Sequence, residues 1–194
     1  MKKLVLASSS PRRAELLRQI GLNFEIITSD VDETLLPGLS PPEQVEYLAR
    51  KKAEAVAREV NSGIDGIVIA ADTIVVWQEQ ILGKPLDGEE AFAILSRLQG
   101  SAHDVFTGIA LVDTHTGGVL TGHEQTRVFL RAIEEDEIRR YIDSGEPLDK
   151  AGAYGVQGLA AIFIERLEGC YTNVVGLPLA RLSLMFKKFG FNVL

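Results

Sequence analysis

The stretch Ile67-Val68-Ile69-Ala70-Ala71-Asp72-Thr73-Ile74-Val75-Val76-Trp77 constrains this chain more than any other. It reads as the most apolar strand, interrupted by one acid and one threonine. A carboxylate left unpaired in such a run is costly, because apolar neighbours cannot replace its hydration. Asp72 therefore either caps a turn where the strand bends, or is held at the end of a central strand to face a metal or act as a base. The flanking residues offer it no obvious solvent, which favours the second reading.

The chain opens on a second informative unit. Leu4-Val5-Leu6-Ala7 reads as a short buried strand, Ser8-Ser9-Ser10 as a hydroxyl-rich loop, and Pro11 onward as a helix. Ser10 is expected to cap that helix through its side-chain oxygen. Pro11 suits the first helical position, where its missing N–H costs nothing. Leu16, Leu17 and Ile20 continue at helical spacing, and Gly21 closes the helix. Arg12-Arg13 fit poorly at this end, since a helix N-terminus carries partial positive charge and favours anions. Two solvated arginines are one reading. The other is a phosphate site built from hydroxyls, free amides and guanidiniums.

Phe24-Glu25-Ile26-Ile27 reads as a strand running into Ser29-Asp30-Val31-Asp32-Glu33-Thr34. That acidic segment is either a solvated loop or a carboxylate cluster facing a hard divalent cation. Pro37, Pro41 and Pro42 mark a loop before a helix from about Glu43 to Val60. Val45, Leu48, Ala49, Ala53, Val56, Ala57 and Val60 form its core-facing stripe. Lys52 falls on that stripe and Lys51 does not. Its head either snorkels to the rim or enters a cleft to meet an anion, and stem burial does not separate the two.

Asn61-Ser62-Gly63 and Asp65-Gly66 read as a turn. Beyond the apolar strand, Gln78-Glu79-Gln80 turns a hairpin back to Ile81-Leu82-Gly83-Lys84-Pro85. Pro85 holds Lys84 extended, which makes it a candidate phosphate clamp or a plain surface lysine. A helix from about Gly88 to Leu98 follows, then strands over about Asp104–Val112 and Thr121–Leu130 with Gly117-Gly118 between them. Glu134-Glu135-Asp136-Glu137 opens a helix running to Ile142, where acids suit the N-terminus. Pro147-Leu148-Asp149-Lys150-Ala151-Gly152-Ala153-Tyr154-Gly155-Val156-Gln157-Gly158 combines small residues with one amide side chain. Gln157 either reads the edge of a base such as uracil or thymine, or satisfies the loop's own backbone. Ala161–Leu167 reads as a strand, and a core helix after Gly176-Leu177-Pro178 stops at Gly190.

Composition excludes several classes. Twenty basic against twenty-seven acidic residues give a net charge of -7, which argues against nucleic-acid binding. The single cysteine, Cys170, allows no internal disulfide and suggests a reducing compartment. With no secretory pattern and no long apolar run, the expected setting is the cytoplasm, away from membranes. His103, His115 and His123 lack ligand-like spacing, and GxxxxGK[ST] and GxSxG are absent, so zinc, Walker and serine-hydrolase chemistry are poorly supported.

Taken together, Ser8-Ser9-Ser10-Pro11-Arg12-Arg13, Val31-Asp32-Glu33, Ala71-Asp72-Thr73, Gly83-Lys84-Pro85 and the segment Asp149–Gly158 resemble the Maf (septum formation protein) family. The resemblance runs in order over nearly the whole chain. It implies an α/β fold of the inosine-triphosphatase-like type. That fold is one domain, with an elongated mixed β-sheet, helices in two lobes and a central cleft, and it is commonly a homodimer. It implies metal-dependent hydrolysis of a nucleoside triphosphate to monophosphate and pyrophosphate, for nucleotide-pool house-cleaning, with the family name adding a link to septum formation.

Asp72 matches the family's proton acceptor, and Glu33, Lys52 and Lys84 match other cleft positions. Ser8, Ser9, Ser10 and Arg13 are expected to hold phosphates. Mg²⁺ or Mn²⁺ would be held by carboxylates including Glu33, with Asp72 as the second. Arg12, Thr73 and Gln157 resemble the branch that prefers dTTP and UTP. The other branch carries Trp, Gln and Glu there and prefers 7-methyl-GTP. Two rival expectations are a nucleotide-responsive regulator that binds without turnover, and a hydrolase for purine or modified triphosphates.

Overall fold

The computed structural model describes residues 2–60 and 65–194, so the turn expected at Asn61-Ser62-Gly63 lies outside the described residues. Strand β1 (Lys3–Leu6) pairs in parallel with β2 (Glu25–Ile26) and with β3 (Gly66–Trp77). Helix α1 (Pro11–Gln19) connects β1 to β2, and α2 (Pro41–Val60) connects β2 to β3. Strand β4 (Gln80–Leu82) returns antiparallel to β3. After α3 (Gly88–Leu98) come the long strands β5 (Ala102–Asp113) and β6 (Val119–Leu130), then α4 (Glu135–Asp143) and β7 (Ile164–Glu168). Short α5 (Tyr171–Val175) and α6 (Leu179–Lys188) end the chain. The mixed sheet has the order β2-β1-β3-β5-β6-β7, with β4 paired to β3.

The chain divides into two compact units. The first comprises Met1–Asp72, Thr107–Glu124 and Gly176–Leu194, and the second comprises Thr73–Phe106 and Gln125–Val175. In the first, small side chains of α2 pack on small side chains in and beside the sheet: Ala49, Ala53 and Ala57 with Ala70, Ala110 and Ala7, the residue after β1. Gly108 permits the closest approach. A Cβ there would lie 2.2 Å from the Val45 carbonyl oxygen. In the second unit, Leu95, Leu98, Val105, Val128, Tyr141 and Phe163 belong to a separate core.

Several boundaries differ from expectation. Helix α2 begins at Pro41, because the first turn of a helix needs no backbone N–H from its prolines. The β3–β4 turn is Gln78-Glu79 alone, with φ of 46° and 64°, while Gln80 already pairs with Trp77. The strand expected from Ala161 begins at Ile164, after a 3₁₀ turn over Leu159–Phe163. There the Glu146 carboxylate accepts the Leu159 N–H and the Arg131 Nε–H donates to the Ile162 carbonyl. Backbone groups held by side chains are not offered to a strand ladder. Helix α5 has no counterpart in the sequence reading. Among the described residues no helix is long and apolar enough to cross a membrane.

Candidate active site

Two periodicities bring the charged residues of the first unit together. Alternate residues of a strand share a face, so Asp72 projects on the side of Val68 and Ala70, which pack in the α2 cluster. Lys52 lies one turn from Ala49 and Val56 on the buried stripe of α2. The two meet: Lys52 Nζ is 2.7 Å from Asp72 Oδ1, with both side chains 9% exposed. Glu33 Oε1 lies 2.9 Å from the same nitrogen, on a side chain that is 55% exposed. Lys52 thus enters a polar site and does not snorkel to the rim.

The loop carrying Glu33 is shaped by its neighbours. Asp32 Oδ1 accepts the Thr34 backbone N–H at 2.9 Å and the Thr34 hydroxyl at 2.6 Å. The Thr34 hydroxyl and amide hold the Asp32 carboxyl below its ordinary value. Lys51, off the α2 stripe, donates to the Asp32 carbonyl at 2.7 Å and so ties this loop to the helix. The acidic segment is therefore divided in role, with Asp32 shaping the turn and Glu33 reaching Lys52.

The opening turn differs in mechanism from the expected cap. Ser10 occupies the N-cap in extended backbone, but its side chain makes no cap bond. Ser8 is the buried hydroxyl. It accepts the Ser10 N–H at 3.2 Å and the Arg13 Nη1–H at 3.2 Å. The neighbouring Ser9 is exposed. Arg13 Nε also donates to the Gly176 carbonyl at 2.9 Å, an acceptor that no side-chain pattern reveals. Desolvation lowers the Arg13 pKa, with Arg12 adding to it, while the Asp72 and Glu33 carboxylates act in the opposite sense. Ser8, Arg12, Arg13, Glu33, Lys52 and Asp72 therefore form one electrostatic neighbourhood in the first unit.

The other expected residues belong to the second unit. Thr73 is half-buried on β3, and Lys84 and Gln157 are exposed. The Gly83 carbonyl accepts the Gly152 N–H at 3.0 Å, which links the Lys84 segment to the start of the Gln157 loop. That loop is fixed by Glu146, a residue absent from the sequence-based candidates. Its only signal in the sequence is an acid just before Pro147.

Glu33, from the loop before α2, and Asp72, from β3, present hard oxygen donors to one cationic nitrogen. Among the described residues no group of three or more His, Cys, Asp or Glu could cage a metal. This set fits Mg²⁺-type binding, in which one or two carboxylates share the ion with substrate phosphates and water.

A model of the Maf-like protein family matches residues 3–189. The chain is 58% identical over 194 residues to a dTTP/UTP pyrophosphatase of Pelotomaculum thermopropionicum, with all of both chains covered. It is 50% identical over 193 residues to a dTTP/UTP pyrophosphatase of Desulforamulus reducens, again over the full length of both. The solved Staphylococcus aureus Ham1 protein resembles it in fold, with a TM-score of 0.52 at 17% identity, over 97% of this chain and 100% of that one.

Proposed function

Because the chain belongs to the Maf-like protein family, we propose that it hydrolyses dTTP and UTP to the nucleoside monophosphate and pyrophosphate. The observation that carries this reading is the Lys52 ammonium held between Asp72 and Glu33 in the same neighbourhood as Arg13. Carboxylates beside fixed cations suit water-driven cleavage of a polyphosphate, where positioning and charge neutralisation supply most of the rate. The full-length relatives of that name support the substrate class.

In this mechanism Arg13 and the Ser8–Ser10 loop bind phosphate oxygens. Ser8 and the Gly176 carbonyl orient the guanidinium, whose planar fork suits phosphate geometry. Lys52 fixes one Asp72 oxygen, and the other accepts a proton from water as that water attacks the α-phosphorus. The bond from that phosphorus to the bridging oxygen breaks, and pyrophosphate leaves. Lys52 and Lys84 offset the charge that develops on it. A divalent cation, Mg²⁺ or Mn²⁺, would be held by Glu33 and Asp72 and would neutralise phosphate oxygens. Gln157, with Arg12 and Thr73, reads the base, since an amide offers both a donor and an acceptor to the edge of uracil or thymine.

The test is a panel of dTTP, UTP, CTP, ITP and 7-methyl-GTP with Mg²⁺ or Mn²⁺, quantifying monophosphate and pyrophosphate. Turnover of dTTP and UTP is expected. Tight binding without turnover would instead indicate a nucleotide-responsive regulator, and preference for purines another hydrolase. Asp72→Asn should abolish turnover with the fold intact, and a near-wild-type rate would remove Asp72 from its role. The lone Cys170 agrees with the cytoplasm as the compartment we propose.

A further inference from the structure

We infer that Glu146 is a positioning residue for base selectivity, holding the loop that presents Gln157. This inference rests on the base-reading role proposed for Gln157. The two oxygens of the Glu146 carboxylate have separate partners. Glu146 Oε2 accepts the Leu159 backbone N–H at 2.9 Å, two residues beyond Gln157. Glu146 Oε1 accepts the Tyr141 hydroxyl at 3.0 Å. The backbone just beyond Gln157 is thus fastened to one carboxylate, which is itself fastened to Tyr141 on α4.

The packing leaves little freedom for this arrangement to shift. Gly158 has φ +116°, and a Cβ there would fall 2.7 Å from Glu146 Oε2. The chain therefore passes directly over the carboxylate, where only glycine fits. Lys150 Nζ donates to the Glu146 carbonyl at 2.5 Å, and its stem lies where a Cβ on Gly155 would be, 2.8 Å away. Tyr141 is itself fixed, 4% exposed and edge-on to Phe163 with ring centroids 5.4 Å apart. Gln157 is exposed on this rigid frame. A side chain that selects a base by hydrogen bonds discriminates only when its own backbone is held in place.

The experiment measures kcat/KM for UTP and CTP, which differ at the pyrimidine 4-position, together with a melting temperature for each variant. The variants are Gln157→Ala, Glu146→Ala, Glu146→Gln, Tyr141→Phe and the double Glu146→Ala/Gln157→Ala. Gln157→Ala and Glu146→Ala should each lower the UTP/CTP ratio about tenfold, and the double variant should lower it no further, as for residues acting as one unit. Glu146→Gln should stay within about threefold of the wild-type ratio, because its oxygen can accept the Leu159 N–H while its amide donates to the Tyr141 hydroxyl. Tyr141→Phe should lower the ratio and serves as the test if Glu146→Ala does not fold.

Equal losses for UTP and CTP, or losses that multiply in the double variant, would overturn the inference. If Gln157→Ala lowers the ratio while Glu146→Ala and Tyr141→Phe do not, Glu146 alone is misassigned. If Gln157→Ala leaves the ratio unchanged, the base-reading role beneath the inference fails.

Discussion

Lys52 and Asp72, twenty residues apart in sequence, form a buried pair at 2.7 Å between the middle of α2 and β3. Removing one partner of such a pair leaves the other charge buried without compensation. Lys52→Met should lower stability by about 3 kcal/mol, or about 6–12 °C in melting temperature for a chain of this size. Lys52→Met/Asp72→Leu, which removes both charges, should recover most of that loss. Thermal denaturation checks both, and a double variant as unstable as the single one would count against the pair.

Arg13→Lys keeps the positive charge but loses the fork that engages Ser8 and Gly176. A point charge on a flexible stem does not replace bidentate phosphate binding. The KM for UTP should rise about tenfold or more with a smaller change in kcat. Steady-state kinetics decide this, and an unchanged KM would place Arg13 outside the phosphate site.

Gly108→Ala tests the seating of α2 on the sheet. The added carbon would meet the Val45 carbonyl oxygen at 2.2 Å and the Glu46 nitrogen at 2.7 Å. Both belong to helix backbone, so the relief available is a shift of α2 itself. A loss of about 3 kcal/mol or more is expected in a denaturant titration. A near-neutral result would mean that the helix is less tightly seated.

His103 is 1% exposed, with Nε2 at 2.7 Å from the Tyr154 hydroxyl. Burial holds its pKa down to about 4, against 6.5 for an ordinary histidine. The unfolded chain therefore binds this proton more readily between those values. The neutral form's stability is fully present above pH 6.5 and is lost as pH falls towards 4. The loss is on the order of 3 kcal/mol, since each tenfold weakening of proton binding on folding costs about 1.4 kcal/mol. Melting temperatures from pH 7 to 4 in wild type and His103→Gln should converge at low pH, since the variant lacks the titrating group. Parallel curves would assign the acid sensitivity elsewhere.

Much of the first unit follows from the order of its residues. Asp72 stands out in an apolar strand, and the α2 stripe fixes the face from which Lys52 projects. For Lys52, β3 decides between the rim and a buried ion pair, because its alternation turns Asp72 towards α2. Other features depend on contacts that pattern does not carry. Three consecutive serines do not disclose that Ser8, rather than Ser10, is the buried acceptor. The α5 residues Tyr171-Thr172-Asn173-Val174-Val175 favour strand by propensity. Yet buried Asn173 Nδ2 donates to Val105 O and Thr126 Oγ1, both at 3.0 Å, anchoring a helical turn. Glu146 looks like an ordinary loop acid in the sequence, because its carboxylate's partners are a backbone amide beyond the Gln157 loop and a tyrosine on α4.

In the proposed reaction water attacks the α-phosphorus of dTTP or UTP. The most direct measurement is turnover of UTP in ¹⁸O-labelled water, followed by mass spectrometry of both products. The label is expected in the uridine monophosphate and not in the pyrophosphate. Label in the pyrophosphate, or release of orthophosphate in its place, would contradict the proposed reaction.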